Sequence, residues 1–312
     1  MNSLAAGISY IDLQFLGTPQ VIATGVISGS GGIALVDPGP SSSLVNLTAG
    51  LASAGVSWRD VTTLLITHIH LDHSGACGTL VRDHPNLRIY VHEKGAAHLI
   101  NPDKLVASAA RLYGDDMDRL WGEVLPVPER HLTILRGGER VEAGGRTLEV
   151  AYTPGHASHH VSFFIRDAGI AFVGDTAGVR IPGGDVIPPT PPPDIDIEAW
   201  YDSLDRIEAW HADTLFLTHF GPVSPIVPHL AVLRDRLDVL SRAVKETLER
   251  DGTDEAREAW FIEESRRALR RSMSESDARK YEEAGRFDLN WRGLARYWRK
   301  KATKSASERK TS

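Results

Sequence analysis

His68-Ile69-His70-Leu71-Asp72-His73 places three imidazoles and a carboxylate within six residues, directly after the apolar run Leu64-Leu65-Ile66. A strand that ends in such a cluster reads as a metal site. Imidazole nitrogens and carboxylate oxygens are ligands that Zn²⁺ and Fe²⁺ accept, and a histidine left in a core without a partner costs desolvation energy. Along an extended chain His68 and His70 share one side, while Asp72 and His73 fall in the turn that follows, so two ligand pairs can face two adjacent ions. His-rich tracts also arise as compositional runs or tags, but this one is neither terminal nor monotonous.

Outward from that stretch, the chain alternates apolar strand-like runs with turn signals. Three β segments are expected before it, Ile8 to Leu16, Val21 to Ser28 and Ile33 to Asp37, closing on the turn Asp37-Pro38-Gly39-Pro40. Ser41 to Ser43 then cap a helix that runs through Ala54 and stops at Gly55. Thr63 to Thr67 reads as the strand that feeds the cluster, followed by a helix from Ser74 to Arg82 and a strand from Arg88 to His92. Glu93 to Trp121 turns helical and amphipathic, an inserted segment near the site. Strands resume at Leu132 to Leu135, Thr147 to Tyr152, Val161 to Ile165 and Ile170 to Val173; a proline-rich loop from Pro182 to Pro193, a helix from Ile197 to Trp210 and a strand from Thr214 to Leu217 follow.

Three further ligand candidates stand where strands give way to loops. They are His156 in Thr153-Pro154-Gly155-His156, Asp175 in Val173-Gly174-Asp175-Thr176, and His219 at the end of Leu215-Phe216-Leu217-Thr218-His219. Ligands on strand ends are held rigidly while a coordination position stays open to substrate. Thr67 and Thr218, each one residue before a ligand, are candidates for supporting hydrogen bonds. Gly155 and Gly174 are expected to let the backbone approach the ions closely.

With these five motifs in order, the chain resembles the metallo-β-lactamase superfamily, in its dinuclear, glyoxalase II-like branch. The resemblance covers about residues 8 to 225 and rests on a motif set of high specificity. It implies an α+β fold, a four-layer αββα sandwich with metals along one edge. It also implies that His68, His70 and His156 hold a first metal, that Asp72, His73 and His219 hold a second, and that Asp175 bridges them. Two Zn²⁺ are the expected cofactors, with Fe²⁺ or a mixed Fe/Zn pair as the alternative. In two-metal sites the ions lie roughly 3.5–4 Å apart, and a bound water acidified to a pKa of about 7 supplies hydroxide at neutral pH. That bridging hydroxide is the expected nucleophile on an ester, thioester or lactone carbonyl. Asp72 is the catalytic candidate, as ligand and as acceptor of the nucleophile's proton.

The division into domains follows from the same pattern: residues 1–229 form the catalytic unit, with 93–130 as a helical insertion, and 230–312 form a C-terminal helical extension. Its segments Leu230 to Arg250, Glu255 to Arg271 and Leu289 to Lys301 carry apolar residues at helical spacing, as in Leu230, Leu233, Leu237 and Leu240. Such faces are buried against the body or against a second copy of the chain, a homodimer.

Composition narrows the partners. The 312 residues carry a net charge of −6, unevenly spread: residues 231 to 312 hold 21 Lys and Arg against 16 Asp and Glu, and residues 1 to 230 hold 14 against 25. An acidic catalytic half is a poor match for nucleic acid. The basic run Arg299-Lys300-Lys301, with Lys304, Arg309 and Lys310, reads as a solvated, frayed end. The N-terminus lacks the basic and apolar regions of a secretory signal, no stretch is long enough to span a membrane, and Cys77 is the single cysteine. A cytoplasmic home is therefore expected, with Cys77 a small buried filler.

Among functions, a hydrolase of a small ester, thioester or lactone comes first because the second-metal set is complete. A mononuclear iron dioxygenase acting on glutathione persulfide is the alternative, since that group resembles this chain in His68, His70, His156 and Asp175. A β-lactamase is disfavoured by the bridging Asp, a nuclease by the acidic catalytic half, and a quorum-quenching lactonase by Gly178, where that group has Tyr. The pocket is expected between Glu93 to Trp121, including Tyr113 and Trp121, and the loop at Ile187, Pro188 and Pro189, lined for a hydrophobic acyl or aryl group. His159 or His160 lines it or bonds a ligand carboxylate, whereas His84, His92, His98, His131, His211 and His229 have surface or packing roles.

Overall fold

The computed structural model describes the backbone of residues 1–311 and side chains through residue 304. The strands are β1 (Asn2–Ala5), β2 (Ile8–Asp12), β3 (Ala23–Gly29), β4 (Gly32–Val36), β5 (Val61–Leu65), β6 (Arg88–His92), β7 (Leu132–Leu135), β8 (Arg140–Ala143), β9 (Arg146–Tyr152), β10 (Val161–Ile165), β11 (Ile170–Phe172), β12 (Thr214–Leu217) and β13 (Gly221–Val223). The helices are α1 (Leu44–Ser53), α2 (Leu71–Ser74), α3 (Cys77–Asp83), α4 (Glu93–Ile100), α5 (Asp103–Tyr113), α6 (Met117–Trp121), α7 (Ile197–Glu208), α8 (Ile226–Leu248), α9 (Asp254–Ser272), α10 (Glu275–Ala284) and α11 (Phe287–Thr311).

The strands form two sheets. β1 to β7 lie side by side in chain order, antiparallel from β1 to β4 and parallel from β4 to β7. The second sheet runs β13-β12-β11-β10-β9-β8, with β11 and β12 parallel. Alternation along the strands sorts side chains between two cores. Val36 and Leu65 join Phe163, Phe172 and Leu217 between the sheets, while their neighbours Leu35 and Leu64 pack on Leu47, Leu51 and Leu80 of α1 and α3. A register slip of one residue would exchange the two sets, so both layers hold each strand in place.

The layers are those of the expected αββα sandwich, with differences in detail. β1, β8, β13 and α10 lie outside the sequence reading; the first three are short strands and α10 is rich in Glu, Asp, Arg and Lys, so their apolar periodicity is weak. The expected helix from Ser74 to Arg82 starts later, at Cys77 as α3, and a separate short helix, α2, ends at Ser74 before it. α8 begins at Ile226, four residues before the expected start, and crosses the 229/230 division. Leu230, Leu233, Phe261, Leu269, Tyr281 and Trp291 are buried in the same core as the second sheet.

The basic C-terminal run is less free than its composition suggests. Arg299 pairs with Asp254 at 2.7 Å, and Lys301 pairs with Glu198 of α7. Arg309 and Lys310 lie outside the described side chains. Among the described residues no helix is long and apolar enough to cross a membrane.

Candidate metal centre

Strand ends converge on one edge of the sandwich. Asp37 follows β4, His68 to His73 follow β5, His156 follows β9, Asp175 follows β11 and His219 follows β12. β4 and β5 are parallel neighbours, as are β11 and β12, so their carboxyl ends open on the same side. Gly174 makes one of these turns possible. Its φ is +46°, and a Cβ there would sit 2.6 Å from both Thr67 Oγ1 and His160 Nε2. Gly155, at φ +133°, would collide with the Trp200 backbone at 2.4 Å. Both glycines thus make room for neighbouring protein at the edge of the site.

All seven expected ligands come together, in two groups joined by Asp175. Nδ1 of His70 lies 3.0 Å from Nε2 of His68 and 3.0 Å from Nε2 of His156, and those two Nε2 atoms are 3.2 Å apart. Three nitrogens about 2.0–2.1 Å from one tetrahedral cation would stand about 3.3 Å from each other. The observed triangle is close to that. In the second group Nε2 of His219 lies 3.3 Å from Asp72 Oδ2, and Nε2 of His73 lies 3.8 Å from it. Asp175 divides its carboxylate between the groups: Oδ2 is 3.4 Å from His156 Nε2 and 4.0 Å from His68 Nε2, while Oδ1 is 3.2 Å from His73 Nε2 and 3.5 Å from His219 Nε2.

Three of the imidazoles are oriented by their other nitrogen. His73 Nδ1 bonds Asp37 Oδ2 at 2.8 Å, His156 Nδ1 donates to the Pro189 carbonyl at 2.8 Å, and His219 Nδ1 donates to the Val21 carbonyl at 2.6 Å. A carbonyl only accepts, so Nδ1 of His156 and His219 carry protons and Nε2 is the atom aimed inward. Three inward atoms lack hydrogen-bond partners. His73 Nε2, His219 Nε2 and Asp175 Oδ1 are buried with no hydrogen bond among the described residues. Buried polar atoms left unpaired cost about 1–3 kcal/mol each, and a cation satisfies all three at once. The donor set therefore fits metal ions.

Burial and charge act together in the first group and against each other in the second. Burial, reinforced by neighbouring imidazoles, pushes His68 well below the ordinary histidine range and His70 down to about 4, which keeps their lone pairs free. For His73 and His219 burial also opposes charge, but Asp175 with Asp37 and Asp72 outweighs it at His73, and Asp175 with Asp72 at His219, holding both high. Burial would raise Asp72, yet His73 and His219 bring it down to about 2. The second group carries an excess of carboxylate that a cation would neutralise.

The sequence reading missed Asp37, taken only as part of a turn. It is fully buried, and its carboxylate accepts from Thr67 N (2.8 Å), Thr67 Oγ1 (2.7 Å) and Thr218 Oγ1 (2.9 Å) as well as contacting His73. Thr67 and Thr218 thus support the site as expected, through Asp37. Its φ of +52° is a signal that only the backbone displays.

The other histidines divide. His159 lines the pocket and accepts from Ile69 N at 3.4 Å; His160 accepts from the Asp175 backbone N–H at 3.3 Å, so its contact is with the main chain of Asp175. His84 stacks on Trp58, His92 caps α4 and stacks on Tyr152, and His131 and His229 bond the Leu87 and Ala177 carbonyls. His98, half-buried, stands on the pocket wall. Cys77 is buried as expected.

A cavity of about 400 Å³ opens over the ligands and contains His70, Asp72, His156 and Asp175 in its lining. Its walls include Leu105, Ala109, Leu112 and Tyr113 of α5, Trp121 of α6, and Pro189, as the inserted helices and proline loop predicted; Ile187 and Pro188 are not among them. Arg286, Leu289 and Asn290 also line it, so the C-terminal helices add a wall to the pocket expected between the inserted helices and the proline loop.

Comparison with known proteins agrees with this architecture. Residues 17–219 match the model of the metallo-beta-lactamase superfamily. A metallo-beta-lactamase fold-containing protein of Sulfurisphaera tokodaii is 29% identical over 211 residues, covering 66% of this chain and 76% of that protein. A hydroxyacylglutathione hydrolase of Aeromonas salmonicida is 25% identical, covering 67% of each chain; matches to the same enzyme of Aeromonas hydrophila and a Synechococcus span 41% and 43% of those proteins. Among solved structures, a metallo-beta-lactamase family protein of Thermus thermophilus superposes with a TM-score of 0.72 over 96% of this chain and 95% of that one, at 23% identity.

Proposed function

This chain belongs to the metallo-β-lactamase superfamily, and from that premise we propose that it is a two-zinc hydrolase of a small ester, thioester or lactone bearing a hydrophobic acyl or aryl group. The observation that carries the reading is the divided carboxylate of Asp175, whose two oxygens face two separate nitrogen groups. When bound, a pair of such ions polarises a carbonyl and acidifies water to a pKa of about 7.

The protein's own groups then have defined work. His68, His70 and His156 hold one position, and Asp72, His73 and His219 the other. Asp72, whose side chain is 23% exposed against 5% for Asp175, is the more accessible of the two: its Oδ2 lies 3.3 Å from His219 Nε2 and can take the proton of the attacking water. Buried Asp37 orients His73 and cannot reach substrate. Apolar side chains of α5 and α6 exclude water from one side and offer area for the acyl or aryl group.

An iron dioxygenase would use His68, His70, His156 and Asp175 and leave Asp72, His73 and His219 without a function, although the inward nitrogens of His73 and His219 are buried and unpaired. Metal analysis together with a panel of aryl esters, thioesters, lactones and phosphodiesters tests the proposal. Two zincs per chain with carboxyl-ester turnover is the expected result. One iron with oxygen uptake, or a preference for phosphodiesters, would overturn it.

A further inference from the structure

The segment between Asp175 and α7 passes beside the ligands as an irregular run, and residues 188 to 194 make no backbone–backbone hydrogen bond among the described residues. Its prolines at 188, 189, 191, 192 and 193 have no N–H to donate. What holds it is the C-terminal helical segment. Tyr281 of α10, fully buried, accepts from Ile181 N at 3.1 Å and donates to the Asp185 carbonyl. Asn290 of α11, 1% exposed, accepts from Thr190 N at 2.7 Å through Oδ1, and the Thr190 hydroxyl donates to the Asn290 carbonyl at 3.3 Å. The backbones meet at Gly293, where a Cβ would lie 1.9 Å from the Thr190 carbonyl oxygen.

Next to Thr190 stands Pro189, whose carbonyl accepts from His156 Nδ1. That bond fixes both the ring orientation and the tautomer that leaves His156 Nε2 free. We propose that Asn290 and Tyr281 are positioning residues for the metal centre: by clamping residues 181–190 from the C-terminal helices they hold the Pro189 carbonyl on His156, and so set its Nε2 beside His68 and His70. The inference rests on the metal-site reading above, and it gives the C-terminal helices a role in metal affinity that packing alone does not require. The clamp spans 100 residues of sequence in both contacts, Thr190 to Asn290 and Ile181 to Tyr281.

The test titrates the metal-stripped full chain with Zn²⁺ alone against a competing chelator, and follows the His156 Nδ1 proton by ¹⁵N NMR of the loaded protein. Asn290→Leu removes the acceptor at similar volume and is expected to weaken zinc binding about tenfold, the low end for residues supporting a ligand, with the His156 Nδ1–H exchanging faster. Asn290→Asp keeps the acceptor for Thr190 N and should bind within about threefold of wild type, scaled to that same range. Tyr281→Phe keeps the ring and should weaken zinc binding in the same direction; it carries the test if Asn290→Leu does not fold. Arg292→Ala breaks the α11 to α9 pair with Glu258 and should leave zinc binding unchanged. Wild-type zinc binding in Tyr281→Phe and in a folded Asn290→Leu would overturn the proposal, as would an equal loss in Arg292→Ala. A wild-type chain that takes up no zinc would instead overturn the metal-site reading.

Discussion

Asp37 Oδ2 lies 2.8 Å from His73 Nδ1, with both side chains fully buried and the same oxygen receiving the hydroxyls of Thr67 and Thr218. Three side chains from two strand ends thus meet at one carboxylate on a third. Asp37→Asn would set an amide N–H₂ against these donors or leave one of them unpaired. We expect the second metal position to weaken about 10–100-fold while the His68, His70 and His156 position is retained, measured as metal stoichiometry and affinity. Loss of both metals in parallel would show that Asp37 supports the whole fold instead.

Asp72→Asn tests the carboxylate that faces the pocket. The expected outcome is one retained metal, a weakened second and a hydrolysis rate down by about 10²-fold or more, the range for losing acid–base help. Unchanged turnover in the variant would favour a one-metal mechanism.

Tyr113 lines the pocket with its ring held edge-on to Trp121 at 5.0 Å and under Arg286 at 5.2 Å, and its hydroxyl has no hydrogen-bond partner among the described residues. Removing that hydroxyl should cost the fold little. Tyr113→Phe is therefore expected to melt within about 2 °C of wild type while KM rises several-fold, the loss of one hydrogen bond of about 0.5–1.5 kcal/mol. A variant with wild-type KM and kcat would remove Tyr113 from substrate contact.

His229 gives a pH signature away from the ligands. Burial, with Arg180 close by, depresses it to about 4, while its Nε2 donates to the Ala177 carbonyl. A histidine unfolded at about 6.5 binds more protons than the native one between pH 6.5 and 4, so stability from this group is present above 6.5 and is lost as pH falls toward 4. At most about 3 kcal/mol is involved, from about 1.36 kcal/mol per pKa unit. His229→Gln should flatten the fall in denaturant midpoint between pH 6.5 and 4.5 relative to wild type; parallel curves would refute the assignment.

The ligands were legible because each occupies a local pattern. His68, Asp175 and His219 stand at the ends of apolar strand-like runs, His70, Asp72 and His73 crowd the turn after the first of these, and His156 follows Leu148 to Tyr152 by a Thr-Pro-Gly turn. Helix and strand limits were read closely where periodicity was strong, as at Arg88–His92, Leu132–Leu135 and Val161–Ile165. Short edge strands such as Gly221–Val223, and the highly charged α10, lacked enough apolar repeats to stand out.

By itself the sequence determined the α+β class, the ligand atoms available and their order along the chain, since these depend on residue type and on spacings of a few positions. Only the tertiary structure decided what surrounds them. Asp37 looked like a turn residue because its partners, Thr67 and Thr218, lie 30 and 181 positions away. Asn290 and Arg286 looked like part of a separate helical extension because nothing local marks a helix that packs back across a proline segment. Burial and long-range hydrogen bonding arise from the closing of two sheets and the docking of helices upon them, and neither leaves a repeat in the chain to be read.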